Sequence, residues 1–201
     1  MKILIKLMQV TLIIFFSIHA DAKKLLVDID LNWKPTTDLF DFKKLSYGQL
    51  NPYKIKIEPL KDSRVVSPRG RIGENIEDKK EFLPVETKSD VAEFATKHLA
   101  EILKKVSINI TEDTAADYSL GGELREFFVQ EKDTYESIVK INFVLKRKGA
   151  VVWTGEKFGK NTRFGRSYKE DNYMESLSDS LIDICLILLS DADFKKAFQT
   201  K

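Results

Sequence analysis

Two stretches of the chain repeat apolar residues at helical spacing. Val91, Phe94, Ala95, His98, Leu99, Ile102, Leu103 and Val106 recur at i, i+3, i+4 and i+7, which predicts an amphipathic helix. Glu93, Lys97, Glu101, Lys104 and Lys105 occupy its other face, with Glu93–Lys97 and Glu101–Lys105 in the favourable i,i+4 order. Thr87 with Asp90, or Asp90 with Glu93, gives a start signal close to a capping box. A second helix is predicted over roughly 173–189, striped by Met174, Leu177, Leu181, Ile184, Cys185 and Leu188. Ile182, Leu186, Ile187 and Leu189 widen that stripe until the late turns are apolar nearly all round, so this helix is expected to be deeply packed. Asn172 to Glu175 supplies its start signal, Ser190 to Asp193 breaks it, and Phe194 to Phe198 adds one further turn.

Period-2 alternation marks the strands. Leu25, Val27, Ile29, Leu31 and Trp33 share one expected face, opposite Asp28 and Asp30. Tyr53, Ile55 and Ile57 alternate with Lys54, Lys56 and Glu58 until Pro59, which cannot donate to a ladder and ends the strand. Residues 61–86, with Pro68, Gly70, Gly73 and Pro84, read as one long loop. Three further strands follow. Tyr118, Leu120, Gly122 and Leu124 define the first, and its Gly121-Gly122 pair predicts a bulge or a close backbone approach. Ser137 to Leu145 defines the second, and a turn at Arg147-Lys148-Gly149 leads to a third beginning at Val151, Trp153 and Gly155. Residues 156–172 read as a basic, polar connection. The order predicts an α+β two-layer domain, an antiparallel sheet with two main helices packed on one face.

The amino terminus changes what counts toward that fold. Lys2 and Lys6 precede an apolar run from Leu7 to Ile18, followed by Ala20-Asp21-Ala22 with small residues at the −3 and −1 positions. This is the layout of a secretory leader cleaved after Ala22. The run would span only ~18 Å as a helix, short of a ~30 Å hydrocarbon core. The expected organisation is a signal peptide at 1–22, an amino-terminal strand and loop at 23–50 and a single α+β envelope domain at 51–201. The expected location is periplasmic, with no stable transmembrane anchor once the leader is removed.

Strand Ile55-Lys-Ile-Glu-Pro59 leads into Asp62-Ser63-Arg64, and the helix from Val91 to Leu103 follows. Ala116-Asp117-Tyr118-Ser119-Leu120 then opens the paired strands, and Leu177-Ser-Asp-Ser-Leu181 leads to Asp191-Ala-Asp-Phe194. In these features, over residues ~51–199, the chain resembles the YajG-like family of uncharacterised bacterial envelope lipoproteins. It lacks the lipidated cysteine of that family. The resemblance implies a fold and a compartment and brings no catalytic residues with it.

Composition narrows the chemistry. Lys plus Arg is 33 and Asp plus Glu is 31, a net charge of +2 that makes no case for nucleic acid. One cysteine and two histidines exclude an intrachain disulfide and any multi-cysteine or multi-histidine metal centre. No cofactor and no catalytic residue is expected. Asp62-Ser63-Arg64 reads as a turn, His98 as a core-edge residue and Cys185 as an inert buried thiol. The candidate binding residues are basic: Arg64, Arg69 and Arg71 in the long loop, and Lys157, Lys160, Arg163 and Arg166 further on, a series that Lys169 continues, with Phe158, Phe164 and Tyr168 between. If they converge, they suit an envelope protein or an anionic envelope component. The expected function is a non-enzymatic periplasmic binding or assembly protein of the cell envelope. The alternatives are a carrier of a small apolar or lipid ligand, and a hydrolase.

Overall fold

The computed structural model describes residues 25–76, 82–165 and 167–199, so the leader lies outside the described residues. The strands are β1 (Leu26–Ile29), β2 (Ile55–Asp62), β3 (Arg71–Asn75), β4 (Leu83–Thr87), β5 (Tyr118–Glu131), β6 (Thr134–Arg147) and β7 (Ala150–Phe164). The helices are α1 (Val91–Lys105), α2 (Glu170–Ser190) and α3 (Ala192–Lys196), and 3-10 turns lie at Phe40–Lys44 and Gly48–Leu50. All strands join one mixed sheet, which makes the fold α+β.

The order across the sheet is β1-β4-β3-β5-β6-β7, and β2 pairs with β5 off this path. β5, β6 and β7 form the expected antiparallel meander. The expectation of a wholly antiparallel sheet is corrected on the other side of β5. There β2 runs parallel to its first half and β3 parallel to its second half, and β1 is parallel to β4. The chain returns from β2 and β3 to β5 by way of α1, and a crossover of that kind delivers a parallel strand.

Two irregularities let β5 serve both neighbours. The β2 register shifts between Ile57 and Leu60, opposite the glycine pair. A Cβ on Gly121 would lie 2.9 Å from the Cβ of Glu58, and one on Gly122 would lie 2.0 Å from the Asn142 carbonyl oxygen. The close approach expected of this pair is therefore what the backbone shows. The second shift falls between Leu124 and Glu126 and reverses the alternation, so Tyr118, Leu120 and Leu124 point inward before it and Phe127, Val129 and Glu131 after it.

Other expectations also change. Pro59 sits at the β2 irregularity and the strand continues past it to Asp62. The 61–86 stretch is not one loop: β3 and β4 pair within it, and residues 77–81 lie outside the described residues. In the first strand Asp28 has φ +56, which breaks the alternation. Leu26 turns inward while Leu25 and Val27 stay 48% and 40% exposed. The basic connection after Gly155 is mostly strand, since β7 runs to Phe164. Helix α2 begins at Glu170 without a side-chain cap at Lys169, whereas Asp90 caps α1 through the Glu93 N–H at 2.9 Å.

The helices meet inward-facing aromatic residues of the sheet, Phe94 of α1 against Phe127 and Tyr173 of α2 against Tyr135. α2 lies close to β6 and β7 because small residues face it. Ser137 bonds to Ser180 Oγ at 2.6 Å and to the Ser176 carbonyl at 2.9 Å, and a Cβ on Gly159 would lie 2.0 Å from the Ser180 carbonyl oxygen. Residues 31–37 run along α2, where Asp179 accepts from Thr36 N (2.8 Å), Thr36 Oγ1 (2.5 Å) and Thr37 N (2.9 Å). Leu26, Phe42 and Leu50 thereby join the same buried cluster as the sheet and helices.

Glu131, fully buried, closes one end of the sheet. Its carboxylate accepts from Tyr173 Oη at 2.5 Å, Ser167 N at 2.7 Å and Tyr168 N at 2.9 Å, and its carbonyl accepts from Ile76 N at 2.8 Å. Burial works to raise this carboxyl, but the Tyr173 hydroxyl and Tyr168 N–H outweigh it and hold it below the ordinary range. Its stabilising contribution is therefore present above the unfolded carboxyl value and is lost as pH falls through the lower folded one. Glu131→Gln is expected to destabilise the protein by about 1.5–3 kcal/mol at neutral pH. Urea unfolding should also show a shallower loss of stability below pH ~4.5 in the variant.

Candidate functional site

The basic residues expected to bind do not converge. Arg64 is 2% exposed, and its guanidinium donates to Asp62 at 3.0 and 2.9 Å and to the Arg69 and Arg71 carbonyls at 2.9 and 3.1 Å. It is an internal staple for the turn entering β3. Asp62 responds: burial works to raise its carboxyl, and the Arg64 guanidinium and N–H bring it below the ordinary range. Arg69 donates back to the Arg64 carbonyl at 2.6 Å but stays largely exposed. Arg71 is held by Glu86 at 3.4 Å and Glu74 at 3.9 Å, with the Phe82 ring 4.8 Å away.

The other group lies on β7, with β5 and β6 between it and β3. Lys157 pairs with Asp191 and lies over the Trp153 ring. Arg163 pairs with Glu175 at 2.6 Å and bonds to Asn172. Lys160 is exposed, and its backbone N–H donates to Asp183 at 2.8 Å. Arg166 lies outside the described residues. Charge reversal at Lys157 or Arg163 would thus break a structural pair, while Arg69 and Lys160 are available to solvent.

The Asp62 and His98 side chains sit in separate networks. His98, 5% exposed, stacks on Trp33 with centroids 4.3 Å apart and planes within 9°, while its Nδ1 meets Glu101 at 2.9 Å. Cys185 is wholly buried, and burial pushes its thiol up. Among the described residues no cluster of His, Cys, Asp or Glu is placed to hold a metal ion.

A different feature stands out, which the sequence reading missed. β2 keeps an open edge beside α1, and between them lies a groove of 820 Å³ lined by residues including Ile57, Pro59, Thr96, Ala100, Lys104 and Ile110. Ile55 N donates to the Asn109 carbonyl at 2.9 Å and Thr111 N donates to the Ile55 carbonyl at 3.0 Å, so residues 109–111 add one parallel rung to this edge. Alternation turns the N–H and C=O of Ile57 the same way, into the groove. Pro59 brings no N–H, and the Leu60 N–H is taken by Thr96 Oγ1 at 2.9 Å. The only trace of this in the sequence is the small Ala100 between Lys97 and Lys104 on the solvent side of the helix.

No protein-family model matches the sequence, and no curated protein matches it either. Solved structures do share the fold. A DUF330-family protein from Xanthomonas campestris is 11% identical, with 85% of this chain and 96% of that one covered at a TM-score of 0.54. An uncharacterised protein is 8% identical, with 83% and 97% covered at 0.52. PelC from Paraburkholderia phytofirmans, solved as a dodecamer, is 19% identical, with 74% and 88% covered at 0.42, a score too low to carry an argument. At these identities the likeness is one of fold alone.

The His98 contact is open to measurement. Burial, opposed by Glu101, lowers its pKa below the ordinary 6.5. The unfolded chain then takes up the proton first, so stability should fall as pH drops below ~6.5 and level off beneath the folded value. Urea unfolding between pH 7.5 and 5 should show this slope in the native protein, and His98→Gln should remove it.

Proposed function

We propose that the chain is an exported, non-enzymatic binding or assembly protein of the bacterial cell envelope, and that its open β2 edge receives an extended segment of an envelope protein. The carrying observation is the groove itself. The rung supplied by residues 109–111 stops after Ile55, leaving Ile57 turned toward the 820 Å³ recess. Main-chain pairing would supply affinity there, and Ala100 and Ile110 would supply shape. The groove rim carries both signs of charge, Lys56, Lys97 and Lys104 with Glu58, Glu101 and Glu112, which suits a polypeptide better than an anionic polymer.

The envelope assignment draws support from the leader at 1–22, from the YajG-like resemblance and from a fold shared with a DUF330-family protein. No helix among the described residues is long and apolar enough to cross a membrane. Both long helices lie against one sheet face as a second layer, which leaves the β2 edge free beside α1. A non-enzymatic role is supported by the separate engagement of Asp62 and His98 in structural contacts.

Exported protein should begin at Lys23 by intact mass. A photo-crosslinking residue at Lys97 should give adducts that map to an extended segment of one envelope protein. Ala100→Trp, which fills the groove from the half-buried helix position that borders it, should cut their yield at least about tenfold while the protein still melts cooperatively. Undiminished yield in that variant, or binding only to anionic vesicles and abolished by Arg69→Glu, would overturn the reading.

A further inference from the structure

The sheet has a second open edge at β7, remote from the groove, and its sequence is complementary to itself. Four large apolar side chains of this strand are exposed: Val151 at 57%, Val152 at 38%, Phe158 at 39% and Phe164 at 92%. The Lys160 N–H is directed away from β6, toward Asp183, so the even-numbered residues beyond the Val152 irregularity present their N–H and C=O groups to the open side. The strand contains no proline, and at 15 residues it is a long edge to leave unpaired.

We infer that β7 pairs antiparallel with β7 of a second copy, centred on Phe158. In this register Phe158 lies opposite its own counterpart across a two-fold axis. Glu156, which in the single chain pairs with Lys140 at 3.1 Å, then faces Lys160 of the other copy on both sides of the centre, and Thr154 faces Thr162. Each even-numbered position from Thr154 to Thr162 thus meets a partner of matching character: opposite charges, two β-branched alcohols, and the half-exposed Phe158 ring against its counterpart. A slip of one residue in the summed register would move each outward side chain against an inward one, and a slip of two places Lys160 or Glu156 against an uncharged residue. Because the same patch serves both copies, the contact closes as a dimer and joins two sheets into one. Asp183 guards the edge in the single chain through one bond, to Lys160, and releases it when the neighbouring strand supplies a carbonyl.

The chain's only other requirement is a free outer edge, and α2 leaves one. It packs beneath β7 at Gly159, on the face opposite the exposed even-numbered side chains. This inference does not depend on the β2 groove, and either can fail without the other.

Sedimentation of the exported protein should give a dimer. Glu156→Lys and Lys160→Glu should each raise the dimer Kd by about tenfold, since each sets like charges opposite one another twice. The double variant Glu156→Lys with Lys160→Glu restores opposite pairing and should recover most of the loss. Phe158→Cys should cross-link to itself on oxidation, because opposed Cα atoms at ~5.5 Å suit a disulfide and Cys185 is buried. Thr162→Cys, which lies opposite Thr154, should not. A monomeric mass, a dimer indifferent to the charge variants, failure of the double variant to recover, or equal self-linking at 158 and 162 would overturn the inference.

Discussion

Glu131 carries a carboxylate into the protein where β5 turns toward β6, and a charge in that position has to be surrounded by donors or it costs several kcal/mol. The donors come from separate parts of the chain: the Tyr173 hydroxyl from α2 and the Ser167 and Tyr168 main chain from the link between β7 and α2 reach the carboxylate, and the Ile76 N–H just past β3 reaches the residue's carbonyl. Satisfying one residue therefore fixes three connections. The link leaving β7 must turn back over the sheet, α2 must start with Tyr173 directed inward, and β3 must end beside β5. Tyr168, at φ +46, accepts an unusual backbone conformation within this link while its own hydroxyl donates to the Pro84 carbonyl at 2.6 Å and accepts from Leu26 N at 3.0 Å. The short strands β1 and β4 are thus tied to the same cluster.

Once α2 is placed, small residues decide how closely it lies on the sheet. Gly159, Ser137, Ser176 and Ser180 form the seam, and their hydroxyl groups bond to one another and to helix carbonyls. A larger residue at Gly159 would meet the helix main chain, which cannot yield by a side-chain rotation. The far side of α2 then presents Ser178 and Asp179 to residues 34–37, which gives the amino-terminal segment a hydrogen-bonded track over the helix.

The helices and the meander were legible because their burial is regular. Val91 to Val106 and Ser137 to Leu145 keep one period along their length, and the structure buries the residues that period selects. What escaped detection breaks its period for a physical reason. The irregularity at Leu124–Glu126 reverses the face of β5, so Phe127 and Val129 fall out of phase with Tyr118 and Leu120. Asp28 does the same within β1. β3 and β4 carry Gly73, Asn75 and Pro84, residues typical of loops. Gly73 is there because a Cβ would lie 2.7 Å from the Val129 carbonyl oxygen, and Asn75 is buried in register with Glu131 on β5.

The basic residues mark the limit of reading charge along a chain. Arg64, Lys157 and Arg163 look like an anion-binding series, but each is consumed by a carboxylate that is distant in sequence or hidden by the turn: Asp62, Asp191 and Glu175. A long cationic side chain can lay its apolar stem along the fold and place its charge on such a partner, as Lys157 does over Trp153. Charge that is neutralised internally offers little to a ligand. Glu156, paired with Lys140 at 3.1 Å on its outer face, and Lys160 differ because they alternate at strand spacing on an exposed edge. There the arrangement of opposite signs matters more than their net sum, since a strand meets its partner residue by residue.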